Sequence, residues 1–495
     1  MRYSRQLIVA AALSVAAVGG VSACVGDDSS GTPDATTDAA NDVTAQDVTT
    51  QDVQSSDVVN DGPTGCAART ADDTVGVFVA KSGSDVNSCG TRSNPCLTIT
   101  YAIATAKAAT GKTTIYVAAA PPETTDAGDG GTSPGVYAES ITLDAPLSSE
   151  GGGIVIGVTW TPVCDATTST SVTIQAVGNT TIAASFNGAA TLRDLGVASK
   201  PSPDPGESLY GITVSGSTTN LTLDQVVVDV AGGGAGVGGT NGTPGVNASD
   251  AGCSPSTGAG GAAGAGGAGG AAGTFSSTGY VATSGGDGGV GGVGQAGTAG
   301  SVGQCMNSCD VIAGSCPNTC TIGTATTCGG TGLSGCPGGG GSPGSCGTGG
   351  GSSVAVYAWD AHVVVFGGRF TTGNGGNGGN GGAGGDGGAP TSGSAGSSAT
   401  CASLTGGGCS NVPSPHCTAT FQSGTPLNGG SAGGSGGAGG VGGHGGGGSG
   451  GDSYGFVQGG DGGVTLNGNP SITHGTGGTG GAVSGANGTA ADRWP

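Results

Sequence analysis

The chain has 495 residues and a formal net charge of −21, with 116 glycines and only 11 lysines and arginines. This acidic balance argues against nucleic acid, anionic lipid surfaces and acidic polysaccharides as partners, because each of these is itself negatively charged. Aromatic residues make up only 4%. A conventional globule would therefore lack large core side chains, whereas a solenoid can bury small branched ones between its coils.

The N-terminus reads as an export signal. Arg2 and Arg5 precede an apolar stretch at residues 7–18 that is short and alanine-rich for a membrane span. The sequence VSAC, which ends at Cys24, resembles the lipobox of bacterial lipoproteins. The resemblance implies that residues 1–23 are removed and that Cys24 becomes lipidated, which anchors the protein in the cell envelope, at the outer membrane or cell surface. The alternative is an ordinary signal peptide with a chance cysteine.

Residues 24–65 are predicted to form a disordered acidic linker after the lipidated cysteine. Asp-Val pairs recur every five residues from Asp42 to Val58, and residues 25–65 contain no lysine, arginine or aromatic residue. A period of five fits neither helix nor strand, and like charges extend the chain. Cation binding by these aspartates is the alternative, but the stretch lacks the glycine-containing turns of such sites.

Ordered sequence begins near Cys66. Residues 77–119 predict a strand, a polar loop, a helix and a second strand. Thr98 is the expected N-cap of the helix, and Ile99, Ala102, Ile103 and Ala106 share one face. Cys89 and Cys96 bracket the loop and form a candidate disulfide.

This block is similar to the opening of the DUF1565 family and related right-handed parallel β-helix proteins. The matching residues are Gly83, Asp85, Gly90-Thr91, Asn94-Pro95, Thr98-Ile99, Ala102-Ile103 and Ala106, followed by the stretch GVYAESI at residues 135–141. The similarity covers about 70 residues. It implies a fold in which a capping helix precedes the first coil, and it implies no particular activity.

Short β-branched segments separated by Gly, Asp, Asn, Ser and Thr turns continue from residue 141 to residue 230, and the segment Leu192–Val197 is expected to be one strand. A sandwich would also contain short strands, but the irregular spacing and the helical block favour a solenoid. The fold class expected is all-β, a right-handed single-stranded parallel β-helix with an N-terminal capping helix and long Gly-rich loops.

A unit of three strands followed by Gly-rich sequence recurs at residues 211–234, 354–376 and 453–478. The Gly-rich insertions are therefore expected to leave equivalent points of successive coils and to lie side by side. The predicted organisation is a cap and coils at 66–231, an insertion at 232–352, a coil at 353–372, an insertion at 373–452, a final coil at 453–474 and a Gly-rich tail at 475–495.

The insertions show a three-residue rhythm, as in GNGGNGGNGGAGGDGG at residues 373–388. A phosphate-binding loop would need Gly-Lys-Ser/Thr, a calcium-binding nonapeptide would need regularly placed aspartates, and a flexible linker needs no rhythm. The remaining interpretation is a polyglycine-II array with three residues per turn, with Asn374, Asn377 and Asn380 in one row. In composition the insertions resemble the PGRS-type regions of bacterial surface proteins and the Gly-rich tips of some adhesins and antifreeze proteins.

The chain contains 16 cysteines, and setting aside Cys24 leaves an odd number. One of them is therefore free, paired between chains or otherwise bound. The cluster between Cys305 and Cys346 is expected to form disulfides that close small rings, rather than a metal site, because the protein is exported.

The sequence offers little catalytic machinery. After Lys200 the only basic side chains other than histidine are Arg369 and Arg493, whereas polysaccharide lyases need a basic residue beside the substrate. Arg193-Asp194 is expected to form a surface ion pair, His362 to be a strand-edge or turn residue near Asp360, and Glu139 to accept hydrogen bonds from backbone or loop donors. The four histidines are scattered, so no catalytic residue, metal ligand or cofactor-binding residue is assigned.

These observations favour a non-catalytic, surface-exposed lipoprotein with a structural, display or adhesion role. Its expected partners are the membrane, through the lipid anchor, and an extracellular glycan or another surface protein. A β-helix carbohydrate-binding or polysaccharide-degrading protein is the alternative, and binding to ice or another solid surface is a third hypothesis.

Overall fold

The computed structural model describes residues 70–119, 135–156, 159–162, 172–306, 311–312, 327–399, 420–421 and 427–494. The predicted lipidation site Cys24 and the linker at 24–65 lie outside these residues. One helix is present among them, α1 (Ile99–Ala108), with 26 strands. In chain order the strands are β1 (Gly76–Val79), β2 (Thr114–Ala119), β3 (Val136–Ala138), β4 (Ile141–Leu143), β5 (Ser148–Ile156), β6 (Thr159–Pro162), β7 (Thr173–Gln175), β8 (Thr180–Ala184), β9 (Gly188–Arg193), β10 (Gly196–Ala198), β11 (Leu209–Ser215), β12 (Thr219–Asp224), β13 (Val227–Val230), β14 (Thr274–Ser276), β15 (Gly279–Val281), β16 (Cys305–Met306), β17 (Val311–Ile312), β18 (Thr327–Cys328), β19 (Ser353–Trp359), β20 (His362–Phe366), β21 (Arg369–Thr372), β22 (Thr420–Phe421), β23 (Ser453–Gly459), β24 (Gly463–Asn467), β25 (Ser471–Thr473) and β26 (Ala490–Arg493).

Three stacked sheets confirm the predicted parallel β-helix. Sheet 1 has the order β1-β2-β5-β9-β12-β20-β24, sheet 2 the order β3-β7-β10-β13-β21-β25, and sheet 3 the order β4-β8-β11-β19-β23-β26. All pairings along these paths are parallel; β6, which pairs antiparallel with the edge of β5, is the exception. From β7 onward the chain visits sheets 2, 3 and 1 in turn, so each circuit forms one coil.

The core fills the space between the three sheets with small branched side chains. Fully buried members include Ile174, Ile182, Leu192, Val228 and Val356. Stacked coils place such side chains above one another at a strand spacing of about 4.8 Å. The solenoid therefore reaches a continuous core with few aromatic residues, as its composition requires.

The helix closes the N-terminal end of this core as predicted. The Thr98 side chain accepts from the backbone N–H of Tyr101, and the buried face consists of Ile99, Ala102, Ile103 and Ala106. A disulfide joins Cys89 to Cys96 in the loop before the helix, with the two Cα atoms 4.9 Å apart. The cap thereby covers apolar side chains that the first coil would otherwise expose.

One strand boundary differs from the sequence-based expectation. The apolar segment from Leu192 to Val197 is not one strand, because the chain turns at Asp194 with a φ of 49°. It therefore supplies the end of β9 in sheet 1 and the start of β10 in sheet 2. A solenoid corner can be this short because one residue in the left-handed region redirects the chain.

Candidate functional site

The Gly-rich sequence leaves the β-helix at one corner, between sheets 2 and 3. Outgoing segments follow β13, β21 and β25 of sheet 2, and returning segments enter β19, β23 and β26 of sheet 3. At the same corner of an earlier coil, residues 176–179 alone connect β7 to β8. The prediction that the insertions leave equivalent positions of successive coils is confirmed.

The insertions contain eight extended segments, which we number runs 1 to 8. Runs 1, 3, 5 and 7 lead away from the β-helix and runs 2, 4, 6 and 8 lead back. The runs comprise residues 232–248, 256–273, 283–304, 329–352, 373–399, 427–452, 475–482 and 483–489. The insertion at 232–352 thus makes two excursions, with the hairpin β14–β15 between them.

The runs are joined by backbone hydrogen bonds that repeat every three residues. Gly376, Gly379 and Gly382 of run 5 donate to Gly351, Thr348 and Ser345 of run 4 at 2.8–2.9 Å. A repeat of three is that of a polyproline II helix, which has no internal hydrogen bonds. The predicted polyglycine-II array is therefore present, and its backbone groups are satisfied by neighbouring runs.

Run 6 lies at the centre of this bundle. Its backbone hydrogen-bonds to runs 2, 3, 4, 5, 7 and 8, and those six runs bond to one another in a closed ring. Run 1 lies outside the ring against runs 4 and 5. The short runs 7 and 8 reach only the part of run 6 near the β-helix, so one side of run 6 is uncovered farther out.

Glycine is required where runs touch. A Cβ atom on Gly382 would lie 1.9 Å from the carbonyl oxygen of Thr240, and one on Gly445 would lie 1.9 Å from that of Ser345. Real Cβ atoms do not approach other atoms so closely. The Gly-Gly-x pattern therefore places glycine on the two contact sides and allows a side chain on the third.

In run 6, the residue type at the third position of the repeat changes with the exposure of that position. Ser435, Ala438, Val441 and His444 are exposed on the uncovered side. The same register then continues as Gly447 and Gly450, which are buried under runs 7 and 8. The change from side chains to glycine occurs where the ring of neighbours becomes complete.

Prolines occur where the bundle needs no backbone donor. Pro244, Pro337 and Pro343 lie in registers whose N–H groups donate to no backbone carbonyl of another run among the described residues. In the register of Pro343, the N–H of Cys346 donates to the Asp287 side chain of run 3 instead. Pro390 shares a register with Gly378, which donates to run 7, but it lies beyond the end of that run. Proline lacks an N–H, so these positions tolerate it without loss of a hydrogen bond.

Asparagines of run 5 form the predicted row. Asn374, Asn377 and Asn380 are exposed, and their Oδ1 atoms accept the backbone N–H groups of Thr476, Thr479 and Ala482 in run 7 at 2.7–2.9 Å. Their side chains therefore fasten a short edge run to a long one. The row therefore joins runs 5 and 7 and is also part of the surface of the bundle.

A second row of side chains lies along runs 1 and 4. The Oγ1 atom of Thr240 is 3.1 Å from the Oγ of Ser345, and that of Thr243 is 2.8 Å from the Oγ of Ser342. Val237 and Val246 flank the two threonines and are 54% and 80% exposed. This face presents hydroxyl and methyl groups at a regular spacing and no charge along the row.

Disulfides hold the outer part of the bundle. Cys253, at the turn between runs 1 and 2, is bonded to Cys336 of run 4, 83 residues away. The expectation that Cys336 closes a small ring is therefore wrong, because the bundle brings distant segments together. Cys328 and Cys346 are also disulfide-bonded, and none of the cysteines that the structure describes is free. These bonds indicate an oxidising, extracytoplasmic location.

The residues considered for catalysis have structural partners. Glu139 accepts from the backbone N–H groups of Ile99 and Thr100 at 2.9 Å, so it caps helix α1 as expected. Arg193 bonds to Asp224 at 2.6 Å and to Glu150 at 3.2 Å. Its close ion-pair contacts are therefore with carboxylates of adjacent coils, and the expected partner Asp194 adds a weaker electrostatic attraction.

Asp360 and His362 lie at the turn between sheets 3 and 1. Asp360 has a φ of 56° and accepts from the backbone N–H of Asp461 at 3.0 Å. His362 is the exposed first residue of β20, as predicted. One group of potential metal ligands lies close together among the described residues, Asp85 with Cys89 and Cys96. The two sulfur atoms are already bonded to each other, so this group does not fit a metal.

An aromatic cluster lies on the outer face of sheet 3, at the base of the bundle. The hairpin β14–β15 folds onto this face, where Tyr210 accepts from the backbone N–H of Tyr280 at 2.8 Å and Tyr357 donates to the carbonyl of Ser276. Other members are Phe275, Val354, Tyr454 and Val457, with Trp359 and Trp494 packed against them. The cluster fixes the glycine bundle to the β-helix.

A cleft of about 220 Å³ opens beside the cluster, between sheet 3 and the turn of the hairpin. Its walls contain both aromatic and hydroxyl-bearing side chains: Asn179, Thr180, Tyr210, Thr213, Val214, Ser215, Ser277, Thr278, Gly279, Tyr357 and Trp359. Burial raises the pKa values of Tyr210 and Tyr357, so both phenols are neutral at physiological pH. No sequence pattern predicted this cleft, because Gly-rich runs separate the residues of its two walls along the chain.

No family model, no curated protein and no solved structure matches the chain. The similarity of the cap to the DUF1565 family therefore rests on the residues quoted above. Within the residues that the structure describes, no helix has the length and apolar character needed to span a bilayer.

Proposed function

We propose that the protein is a non-catalytic interaction protein of the bacterial cell surface, which presents its glycine bundle as a contact surface. The observation that carries the proposal is the hydrogen-bonded bundle itself, built around run 6 and fixed to the β-helix at one corner. A bundle whose backbone groups are internally paired is a stiff projection, not a set of loose loops. Stiffness lowers the entropy lost when a large surface binds.

The dimensions fit a display role. Run 5 covers residues 373–399, and a polyproline II helix rises about 3.1 Å per residue, so this run is on the order of 80 Å long. The linker before the β-helix would add a reach on the order of 130 Å if extended, at ~3.3 Å per residue. With Cys24 lipidated, both lengths would carry the bundle away from the membrane.

The row along runs 1 and 4 is the part of the bundle best suited to contact. It combines exposed methyl groups of Val237 and Val246 with the hydroxyl groups of Thr240 and Thr243. A regular, uncharged face suits a repetitive partner, such as an extracellular polymer or another surface protein. The structural roles of Glu139, Arg193 and Asp360 support a function without catalysis.

An adhesion assay tests this function. Cells that display the protein would be applied to immobilised extracellular polysaccharides and to cells of the same strain, beside cells that lack it. The variant Thr240→Glu/Thr243→Glu places charges in the row, and Ala383→Glu is the control at an exposed position of run 5. We expect the row variant to lose adhesion and the control to keep it. Equal adhesion by cells with and without the protein would contradict the proposal.

A further inference from the structure

The cleft beside the aromatic cluster has two well-defined walls, and it is not part of the contact surface proposed for the bundle. One wall is the outer face of sheet 3, where Thr213 pairs in register with Tyr357 and Ser215 with Trp359. The other wall is the turn Ser277–Gly279, which joins β14 to β15. The cleft therefore exists only because the first Gly-rich excursion returns to the β-helix before the second begins.

Two stacked rings form an aromatic platform in the cleft, and Trp359 is its accessible part because Tyr357 is only 4% exposed. Tyr357 and Trp359 are stacked with 6.1 Å between ring centroids and an angle of 11° between their planes. Trp359 is only partly buried, and its ring lies over Gly459 of the next coil, where a Cβ atom would be 2.3 Å from the indole. The glycine in the neighbouring strand thus leaves room for the indole to lie flat against the sheet. Stacked rings of this kind offer a rigid apolar surface at low entropic cost.

Around the platform the polar groups are hydroxyls and one amide. Thr180, Thr213, Ser215, Ser277 and Thr278 supply the hydroxyls and Asn179 the amide, and the lining contains no acidic, basic or histidine side chain. Hydroxyl groups both donate and accept hydrogen bonds. A matching ligand is therefore uncharged, with an apolar face for the rings and several hydroxyl groups for the rim.

The volume of the cleft limits the size of the ligand that it can hold. Pockets for drug-sized molecules occupy about 300–1,000 Å³, and this cleft, at about 220 Å³, is smaller. It accommodates one ring rather than a chain of rings. Because one side is open to solvent, that ring can be the terminal unit of a longer molecule.

We propose that this cleft, formed by the Tyr357–Trp359 platform and the Ser277–Thr278 turn, binds a single neutral sugar ring, such as the terminal hexose of an extracellular glycan. One face of a pyranose ring presents C–H groups to the partly exposed Trp359 ring, while its hydroxyls reach the serine, threonine and asparagine side chains. No bond of the sugar is broken, because the lining supplies neither a general acid nor a general base. The site is separate from the row on runs 1 and 4, so it is independent of the contact role proposed for the bundle.

Ligand-detected NMR and calorimetry on the intact exported protein test this site. The probes are the methyl glycosides of glucose, galactose and mannose, N-acetylglucosamine, and glucuronate as the charged counterpart of glucose. We expect saturable binding of at least one neutral sugar, with glucuronate binding at least about tenfold more weakly to this acidic protein. Binding of none of the neutral sugars, or preferential binding of glucuronate, would overturn the proposal.

Two variants locate the binding. Trp359→Ala removes the accessible ring of the platform and is expected to weaken sugar binding at least about tenfold. Because that change also uncovers Gly459, the exposed-turn variant Ser277→Ala/Thr278→Val is measured in parallel and is expected to weaken binding severalfold without altering the fold. The row variant Thr240→Glu/Thr243→Glu should bind the sugar normally while losing adhesion. Sugar binding that survives both cleft variants would place the ligand elsewhere and refute the site.

Discussion

A Cβ atom on Gly447 of run 6 would lie 2.3 Å from the carbonyl oxygen of Ala482 in run 7. Nine residues earlier in the same register, Ala438 is exposed because run 7 does not extend that far. The residue type at the third position of the Gly-Gly-x repeat therefore depends on whether a neighbouring run covers that side: glycine where it does, a larger residue where it does not. This relationship can be tested by placing the same side chain at both positions.

Gly447→Val is expected to destabilise the bundle by about 1–3 kcal/mol or more, because overpacking forces neighbouring backbones apart. The control Ala438→Val should change the stability by no more than about 0.5 kcal/mol, as for other surface substitutions. Chemical unfolding and hydrogen–deuterium exchange of runs 6, 7 and 8 are the measurements. Equal effects of the two valines would show that run 6 is not enclosed.

Proline substitution at adjacent residues tests the pattern of backbone donors. The N–H of Gly239 donates to Asn380 at 2.7 Å, so Gly239→Pro is expected to destabilise the bundle by about 3 kcal/mol. Gly238 donates to no other run, and a Cβ on it would be 3.6 Å from its nearest neighbour. Gly238→Pro should therefore be neutral, or stabilising by up to about 1 kcal/mol, because it restricts the unfolded chain. Thermal unfolding of the two variants in parallel measures the difference in their stability. A destabilised Gly238→Pro would contradict the assigned register of backbone donors.

Removal of the long-range disulfide should loosen the outer bundle selectively. In the chain-entropy description a loop of 83 residues contributes about 4–5 kcal/mol. Cys253→Ser/Cys336→Ser is expected to speed hydrogen exchange in the outer halves of runs 1, 2 and 4 and to leave sheets 1 to 3 protected.

The matched control is Cys89→Ser/Cys96→Ser, whose loop spans only 7 residues. In the same description its loss costs about 2 kcal/mol, and its effects should be confined to the N-terminal cap. If the two double variants changed exchange in the same segments, the disulfides would not be acting on separate parts of the fold.

Asp452 should make stability depend on pH at the junction of run 6 with β23. Burial raises its pKa, although hydrogen bonds from Thr489 partly oppose the shift. A carboxyl with a raised pKa binds its proton more tightly in the folded state, so its ionisation lowers stability as the pH rises through the folded pKa. Asp452→Asn is therefore expected to be more stable than the wild type at pH 7 and equally stable at pH 3. A variant that is less stable at pH 7 would show that hydrogen bonding to the carboxylate outweighs burial.

The anchor prediction concerns Cys24 alone. If this residue is lipidated, Cys24→Ser should leave the precursor uncleaved or move the protein from the membrane fraction to the soluble fraction. Metabolic labelling with palmitate, followed by fractionation, provides the measurement, and Ser22→Ala is the control because alanine is also small. An unlabelled wild-type protein would contradict the lipid anchor.

Much of the solenoid was predictable because its determinants are local. The buried face of α1, the Thr98 cap and the role of Glu139 follow from short-range patterns and from one similar sequence block. The departure point of the Gly-rich segments followed from the repetition of the three-strand unit. The predictions that were wrong, the strand from Leu192 to Val197 and the small ring at Cys336, both concern how one coil or run meets another.

The sequence by itself determined that the chain coils and that its insertions form three-residue helices, since strand alternation, capping and the Gly-Gly-x rhythm act over a few neighbouring residues. It also marked, in the change from His444 to Gly447, where a run becomes enclosed. Only the tertiary structure decided which run is central, that Cys253 meets Cys336, and that Ser277 faces Trp359 across a cleft. The physical reason is that polyproline II runs make no hydrogen bonds of their own. Apart from the pairing of runs 7 and 8, their partners lie tens to more than a hundred residues away. Stacking on successive coils of the β-helix selects these partners.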